Sequence, residues 1–216
     1  MTPKILLTGF EPFDGERINP SGEIARALDG EIVHGHRIVT AILPVAFAST
    51  LPTLEALLDE HRPVLAIATG QAGGRSELAI ERVAANLVDA RIPDADGEQP
   101  IDVRVVEDAP DAYFSTLPVK AMIERLRRLG IPAALSQTAG AYVCNQAFFA
   151  LAHLVATRHR AMRAGFVHVP WLPEQAARHW GQPSMALETM VEGVRAAIEC
   201  ALSTREDRHF AGGETY

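Results

Sequence analysis

Cys144 stands where a side chain can be made reactive. It follows Ala139-Gly140-Ala141-Tyr142-Val143 and opens a helical pattern, Asn145-Gln146-Ala147-Phe148. A thiol at a helix start meets unpaired backbone N–H groups and the positive end of the helix dipole, and both favour the nucleophilic thiolate. The competing account is a small buried apolar residue, which is how most free cysteines behave. His168 lies near the end of a strand-like run, Gly165-Phe166-Val167-His168-Val169, before Pro170-Trp171. A general base for a thiol must be held firmly, and a strand end does that. Taken alone, it reads better as a core histidine bonded to a carbonyl. Glu81 interrupts the apolar stretch Leu78-Ala79-Ile80-Glu81-Arg82-Val83. A carboxylate there could orient an imidazole and stabilise its charged form. A Glu beside an Arg is more usually an ion pair, here with Arg82 or Arg75.

Two glycine-rich loops follow buried, strand-like runs. Gly70-Gln71-Ala72-Gly73-Gly74-Arg75 allows close backbone approach to a ligand, or is simply a tight turn. It lacks the Lys-Ser/Thr of a phosphate loop and is not GxGxxG. Gly9-Phe10-Glu11-Pro12-Phe13-Asp14-Gly15 sets two phenylalanines in a loop. They wall an apolar pocket or anchor the loop to the core. His34 and His36 could share a strand face as metal ligands do, but no HExxH, paired CxxC or carboxylate cluster accompanies them. His153 and His159 show no ligand spacing. Cys200 sits between Ile198 and Leu202 inside a helical pattern and reads as packing. No GxSxG or SxxK supports a serine nucleophile.

The chain has 216 residues, 48% hydrophobic and 22% charged, as a single globular domain would. A chain of this length buries roughly 70% of its unfolded surface and needs no staples. Its net charge of −7 and its lack of Lys/Arg runs exclude a phosphate-backbone binder, so no nucleic acid partner is expected. Two cysteines are too few for a secreted disulfide framework. The N-terminus has no signal-peptide pattern, and no apolar run reaches the ~18 residues of a membrane span. The expected setting is the cytoplasm, with no membrane partner.

Short apolar runs alternate with helical patterns, the α/β signature. Strands are expected at Ile5–Thr8, Val64–Thr69, Glu77–Asn86, Ala133–Gln137 and Phe166–Val169, with one long strand or a hairpin over Ile32–Val45. Ser21 is the expected cap of a helix through Leu28, and Ser49–His61 is amphipathic. Residues 89–112 form an excursion carrying short strands. Thr116 is the expected cap of a helix with Pro118 in its first turn, ending at Gly130. A helix spans Cys144–His159, and Ser184 caps a last one to about Leu202. The single domain covers 1–216, with a frayed polar tail from about 204. The unusual residues fall in loops at strand ends, where open α/β sheets build sites.

In order along the chain, several segments resemble the pyroglutamyl peptidase I (pyrrolidone-carboxylate peptidase) family of cysteine peptidases. They are Thr8-Gly9-Phe10-Glu11-Pro12-Phe13 with Asn19-Pro20-Ser21, Gly70 to Arg75, Glu81-Arg82 with Asn86, Asp89-Ala90-Arg91-Ile92-Pro93-Asp94, Ser136 to Asn145, and Phe166 to Pro170. The resemblance runs from residue 4 to about 190. It implies a three-layer α/β/α sandwich around a mixed, mostly parallel sheet. It also implies hydrolysis of the amide after an N-terminal 5-oxoproline (pyroglutamate) in peptides. Glu81, Cys144 and His168 match the family's catalytic set, without metal or cofactor. Phe10 and Phe13 suit the lactam methylenes and the Gln71 backbone the lactam edge, with Asn19, Ile92, Tyr142 and Val143 as further substrate-binding candidates. The oxyanion falls to backbone N–H groups at Cys144, with Arg91 as a weaker candidate. Where members often carry Gly-Gly after Phe-Glu-Pro-Phe, this chain has Asp14-Gly15. The resemblance also implies a homo-oligomer, a tetramer. Two other readings stay open: a phosphorylase-like transferase, and a protein that binds a lactam or peptide end without turnover. Asp207 to Tyr216 match nothing in the family.

Overall fold

The computed structural model describes residues 2–212. The first strand, β1 (Lys4–Phe10), is buried from Ile5 onward, as a central strand between parallel neighbours must be. Helix α1 (Pro20–Leu28) follows. Its cap is Asn19 rather than Ser21: Asn19 Oδ1 accepts from the Ser21 N–H at 3.1 Å, and Pro20 takes the first helical position. Ser21 instead accepts the Phe10 N–H on its hydroxyl at 3.0 Å, tying the end of β1 to the helix.

Residues 32–43 form a hairpin, β2 (Ile32–Val33) and β3 (His36–Leu43). Its turn residues, His34 and Gly35, both have positive φ, the geometry that two-residue hairpins favour. His34 therefore lies in the turn and shares no strand face with His36. Among the described residues, no group of three or more His, Cys, Asp or Glu converges as a metal site. Helix α2 (Phe47–His61) leads to β4 (Leu65–Gln71).

The expected strand over 77–86 is broken in two. β5 (Leu78–Glu81) stays in the main sheet, and β6 (Val83–Ala85) turns away to pair antiparallel with β7 (Ala112–Phe114). A side chain 60 positions away makes this possible. Asn145 Oδ1 accepts the Ala85 N–H at 3.1 Å, and its Nδ2 donates to Ala85 O and Leu87 O. Backbone groups that leave a sheet must find such partners. Between β6 and β7 the excursion carries no strand, only a bridge between Val88 and Val103.

Helix α3 (Val119–Arg128) starts at Pro118, and Thr116 does not cap it. Thr116 Oγ1 bonds Ala164 instead. Strand β8 (Ala133–Ser136), helix α4 (Val143–Thr157), strand β9 (Arg163–Val169), a short helix α5 (Pro173–Ala176) and helix α6 (Leu187–Ser203) complete the chain. Ser184 lies before α6, whose cap position is Ala186. The tail is held down where fraying was expected: Asp207 accepts the Lys120 and Ala121 N–H groups at the start of α3. Its last four residues lie outside the described residues.

The seven-stranded sheet runs β2-β3-β1-β4-β9-β5-β8. Strands β3, β1, β4 and β9 are parallel, and β5 with β8 runs the other way. One apolar layer packs α1, α3 and α6 on one face. A second packs α2 and α4 on the other, which makes three layers. The chain builds outward from β1 to β3, then returns to place β4 on the opposite side of β1. Ligands bind at such switch points, beyond the carboxyl ends of the strands. Phe10, Gln71 and Val169 end β1, β4 and β9 there. No helix among the described residues is long and apolar enough to cross a membrane.

Candidate active site

Strand register brings the chemistry together. Gly70 on β4 is the Cα partner of His168 on β9. A Cβ on Gly70 would lie 2.7 Å from Cys144 Sγ and 2.8 Å from Phe166 Cζ. The thiol therefore rests on bare backbone directly beside the histidine's strand position, and only a glycine leaves room for it. β5 runs antiparallel to β9, pairing Ala79 with His168 and Glu81 with Phe166. Paired residues point to the same side of a sheet. His168 Nδ1 meets Glu81 Oε1 at 2.7 Å. Both groups are buried, Glu81 completely. With Nδ1 engaged by a carboxylate, the neutral imidazole keeps its proton there and leaves Nε2 as the base. The Phe166 ring packs on the imidazole with centroids 4.8 Å apart.

Both accounts of Glu81 hold at once. Arg75 Nη1 donates to the same oxygen at 3.0 Å, while Arg82 makes no ion pair with it. Cys144 is the second residue of α4, whose first amides have no intrahelical acceptor. Burial nevertheless pushes its thiol up to about 12, with Glu81 adding to the rise and Arg75 opposing it. Burial and Glu81 thus act against the bias toward thiolate that the helix start supplies.

Cys144 faces a narrow slot lined by Phe10, Phe13, Asn19, Val45, Gln71, Tyr142 and Val143. Six of the seven substrate-binding candidates are in that wall; Val45 was not anticipated from the sequence. The slot's volume is about 10 Å³, room for about one water-sized sphere. Asn19 is buried with its polar atoms committed, Oδ1 to the α1 cap and Nδ2 to Glu11 O at 2.9 Å. It shapes the wall by holding the β1–α1 loop. Tyr142 donates its hydroxyl to Pro93 O at 2.9 Å and packs edge-on against Phe47. Burial raises the phenol to about 12, helped by Asp94, Asp14 and Cys144.

The slot opens into a cleft of about 490 Å³. Ile92 and Arg91 line this outer cleft and not the slot. Trp171 and His179 also line it, stacked with centroids 4.1 Å apart. His179 and Arg178 both bond Glu16 on the β1–α1 loop, and Gln175 joins them. Burial pushes the Glu16 carboxyl up, but these three bonds outweigh it and hold it below the usual range. Gln175 also donates to Gln71 Oε1 at 2.8 Å.

Sequence reasoning gave no role to Asp94, Asn145 or this Glu16 cluster. Asp94 is buried and accepts N–H bonds from Phe47, Asp96 and Glu98, which fixes the loop behind Ile92. Its local signal was the turn sequence Asp94-Ala95-Asp96-Gly97.

A three-layer α/β sandwich with a thiol, an imidazole and a carboxylate gathered at one strand edge has the make-up of a cysteine-type hydrolase. Comparison with known proteins narrows this. The pyroglutamyl peptidase family model matches residues 3–204. A pyrrolidone-carboxylate peptidase of Cupriavidus taiwanensis is 56% identical over 216 residues, covering 99% of this chain and 100% of the relative. One of Bacillus cytotoxicus is 49% identical over 212 residues, with 98% and 99% covered. The crystal structure of pyroglutamyl peptidase I from Bacillus amyloliquefaciens superimposes with a TM-score of 0.94 at 39% identity, covering 98% of this chain and 100% of that one. An E192D mutant pyrrolidone carboxyl peptidase from Pyrococcus furiosus gives 0.90 at 45% identity, with 93% and 98% covered. The chain belongs to the pyroglutamyl peptidase family. It is a cysteine-type peptidase, and the family's reaction is removal of N-terminal pyroglutamate from peptides.

Proposed function

We propose that this chain hydrolyses the amide after an N-terminal L-pyroglutamyl residue with Cys144 as nucleophile, His168 as general acid and base, and Glu81 as the carboxylate that orients the imidazole. One observation carries the assignment: His168 bonds Glu81 at 2.7 Å while Cys144 Sγ packs on Gly70, the register partner of His168. His168 Nε2 takes the thiol proton as the sulfur attacks the pyroglutamyl carbonyl. The backbone N–H groups at the start of α4 hold the oxyanion, and one such donor is worth ~3 kcal/mol of barrier. Arg91, out in the cleft, is the weaker candidate for that task.

His168 then gives the proton to the leaving amine as the C–N bond breaks, which leaves a thioester. Water gives a proton to His168 and attacks the thioester carbonyl. Pyroglutamate departs and the thiol recovers its proton. Glu81 stabilises the imidazolium in both halves. No metal or cofactor takes part.

A pyroglutamyl peptide has no free α-amine, so the enzyme must grip the ring itself. Phe10, Phe13, Tyr142 and Val143 supply apolar walls, and the Gln71 backbone borders the lactam edge. The slot as it stands has room for about one water, and Phe13, half-buried on its Gly/Pro loop, is a wall residue it shares with the outer cleft. The outer cleft, with Ile92 on its wall, receives the second residue. Two free cysteines fit a reducing, cytoplasmic setting. Exposed apolar side chains at Leu87, Ile101, Val103 and Phe114 support a homo-oligomer, a tetramer on the family resemblance.

The test is turnover of a fluorogenic L-pyroglutamyl amide beside the L-prolyl amide, which has the ring but not the lactam carbonyl. The expected result is cleavage of the first alone. No cleavage by folded, reduced protein would overturn the reading.

A further inference from the structure

Glu81 is fully buried, yet both of its bonds fall on one oxygen. Oε1 meets His168 Nδ1 at 2.7 Å and Arg75 Nη1 at 3.0 Å, while Oε2 has no partner among the described residues. A buried carboxylate without a compensating charge is costly and tends to take up a proton. Arg75 is the cation that compensates it. Its guanidinium forks, with Nη2 donating to Thr138 O at 3.3 Å on the loop that leads into Cys144 and α4. One side chain thus joins the β4–β5 loop, the carboxylate on β5 and the β8–α4 loop. Arg75 lines neither the slot nor the outer cleft.

We propose that Arg75 is a positioning residue for the peptidase reaction: by sharing Glu81 Oε1 with His168 it keeps the carboxylate charged and fixed, and so sets the pH at which His168 and Cys144 work together. The inference rests on the catalytic assignment above. The titratable groups facing Glu81 are His168 from β9, Cys144 from α4 and Arg75 from the β4–β5 loop. Its strand partners, Phe166 on β9 and Ser136 on β8, carry no ionisable group.

The direction of the effect follows from charge. Without Arg75, the buried carboxylate binds a proton more readily, and while still ionised it holds the proton on His168 more tightly. Either change moves the acid limb of kcat/KM to higher pH. Losing the Arg75 charge also disfavours the Cys144 thiolate, which moves its reaction with an alkylating agent to higher pH.

The experiment compares Arg75→Gln, Arg75→Lys and the control Arg82→Gln. The control removes the same charge one residue from Glu81 without touching a bond to it. Two pH profiles are taken: kcat and KM on the fluorogenic L-pyroglutamyl amide, and the rate of iodoacetamide inactivation, which needs no substrate. For Arg75→Gln the expected result is an upward shift of both profiles. Its kcat falls about 10- to 100-fold, the range typical when a partner that orients a functional group is lost. KM stays within about twofold, since no substrate contact is removed. Arg75→Lys keeps the charge but not the fork, so it recovers the position of the acid limb while kcat stays low. Arg82→Gln leaves the limb in place.

A folded Arg75→Gln protein with an unshifted limb, even one less heat-stable, would reduce Arg75 to a structural ion pair and overturn the proposal. If that variant does not fold, wild-type kcat in Arg75→Lys overturns it instead. Absence of turnover in the wild type would defeat the catalytic assignment, and the alkylation profiles would still report on Arg75.

Discussion

Gly70 has no side chain because Cys144 already fills the place where one would go. Its absent Cβ would lie 2.7 Å from the sulfur and 2.8 Å from Phe166 Cζ, closer than such atoms can approach. Gly70→Ala should push the thiol off its line with His168. Displacing a reacting atom by about 1 Å costs on the order of 100-fold, so kcat/KM should fall by that much while the circular dichroism spectrum stays native. Wild-type kinetics in this variant would mean that the sulfur does not depend on that contact. The residue types of the site were legible in the sequence, but each had a bland twin. Cys144 read as packing, His168 as a core histidine and Glu81 as an ion pair. Only register joins them, and the pairs 70 with 168 and 81 with 166 are too distant along the chain for any spacing rule to reveal. The helix start beside Cys144 was visible in the sequence, while the burial and the Glu81 charge that act against it come only with the fold.

Helix α3 shows how far an element's ends can depend on remote chain. Its own cap position is Pro118, which offers no side-chain acceptor. Asp207, 87 positions beyond Lys120, accepts the Lys120 and Ala121 N–H groups at 3.2 and 2.9 Å. Lys120 closes the clasp by donating to Phe210 O and lying over the Phe210 ring. Asp207→Ala should cost about 1 kcal/mol, as lost caps do. For a domain of this size that is a fall of roughly 2–4 °C in melting temperature, with kcat unchanged. An unaltered melting curve would show that the clasp contributes nothing. Local patterns found the cores of the elements well and their ends poorly, and the causes are specific. At α1, Pro20 in the first helical position makes Asn19 the cap and draws Ser21 inside the helix. At 77–86, continuous apolar sequence reads as one strand, and after the break the backbone is satisfied by distant partners, β7 and the Asn145 side chain.

Across the whole molecule, alternation of apolar runs with amphipathic stretches was enough to indicate an α/β sandwich. Strand order was not legible, because it is set by which faces the helices cover, α1, α3 and α6 on one side and α2 and α4 on the other. That arrangement has a functional consequence. Parallel β1, β4 and β9 end together at the switch point, while the reversed β5 brings Glu81 beneath His168 from the opposite direction. A carboxylate delivered this way is buried and needs Arg75, a thiol delivered at the start of α4 needs Gly70, and an imidazole on β9 serves both. The central claim is that Cys144 carries the acyl group. It is tested most directly by acid-quenching the enzyme during turnover of the L-pyroglutamyl amide and measuring the mass of the peptide that contains Cys144. The account predicts a transient gain of one pyroglutamyl group on that peptide, absent from Cys144→Ala, which should be folded and inactive. Turnover by Cys144→Ala, or an adduct on another residue, would contradict it.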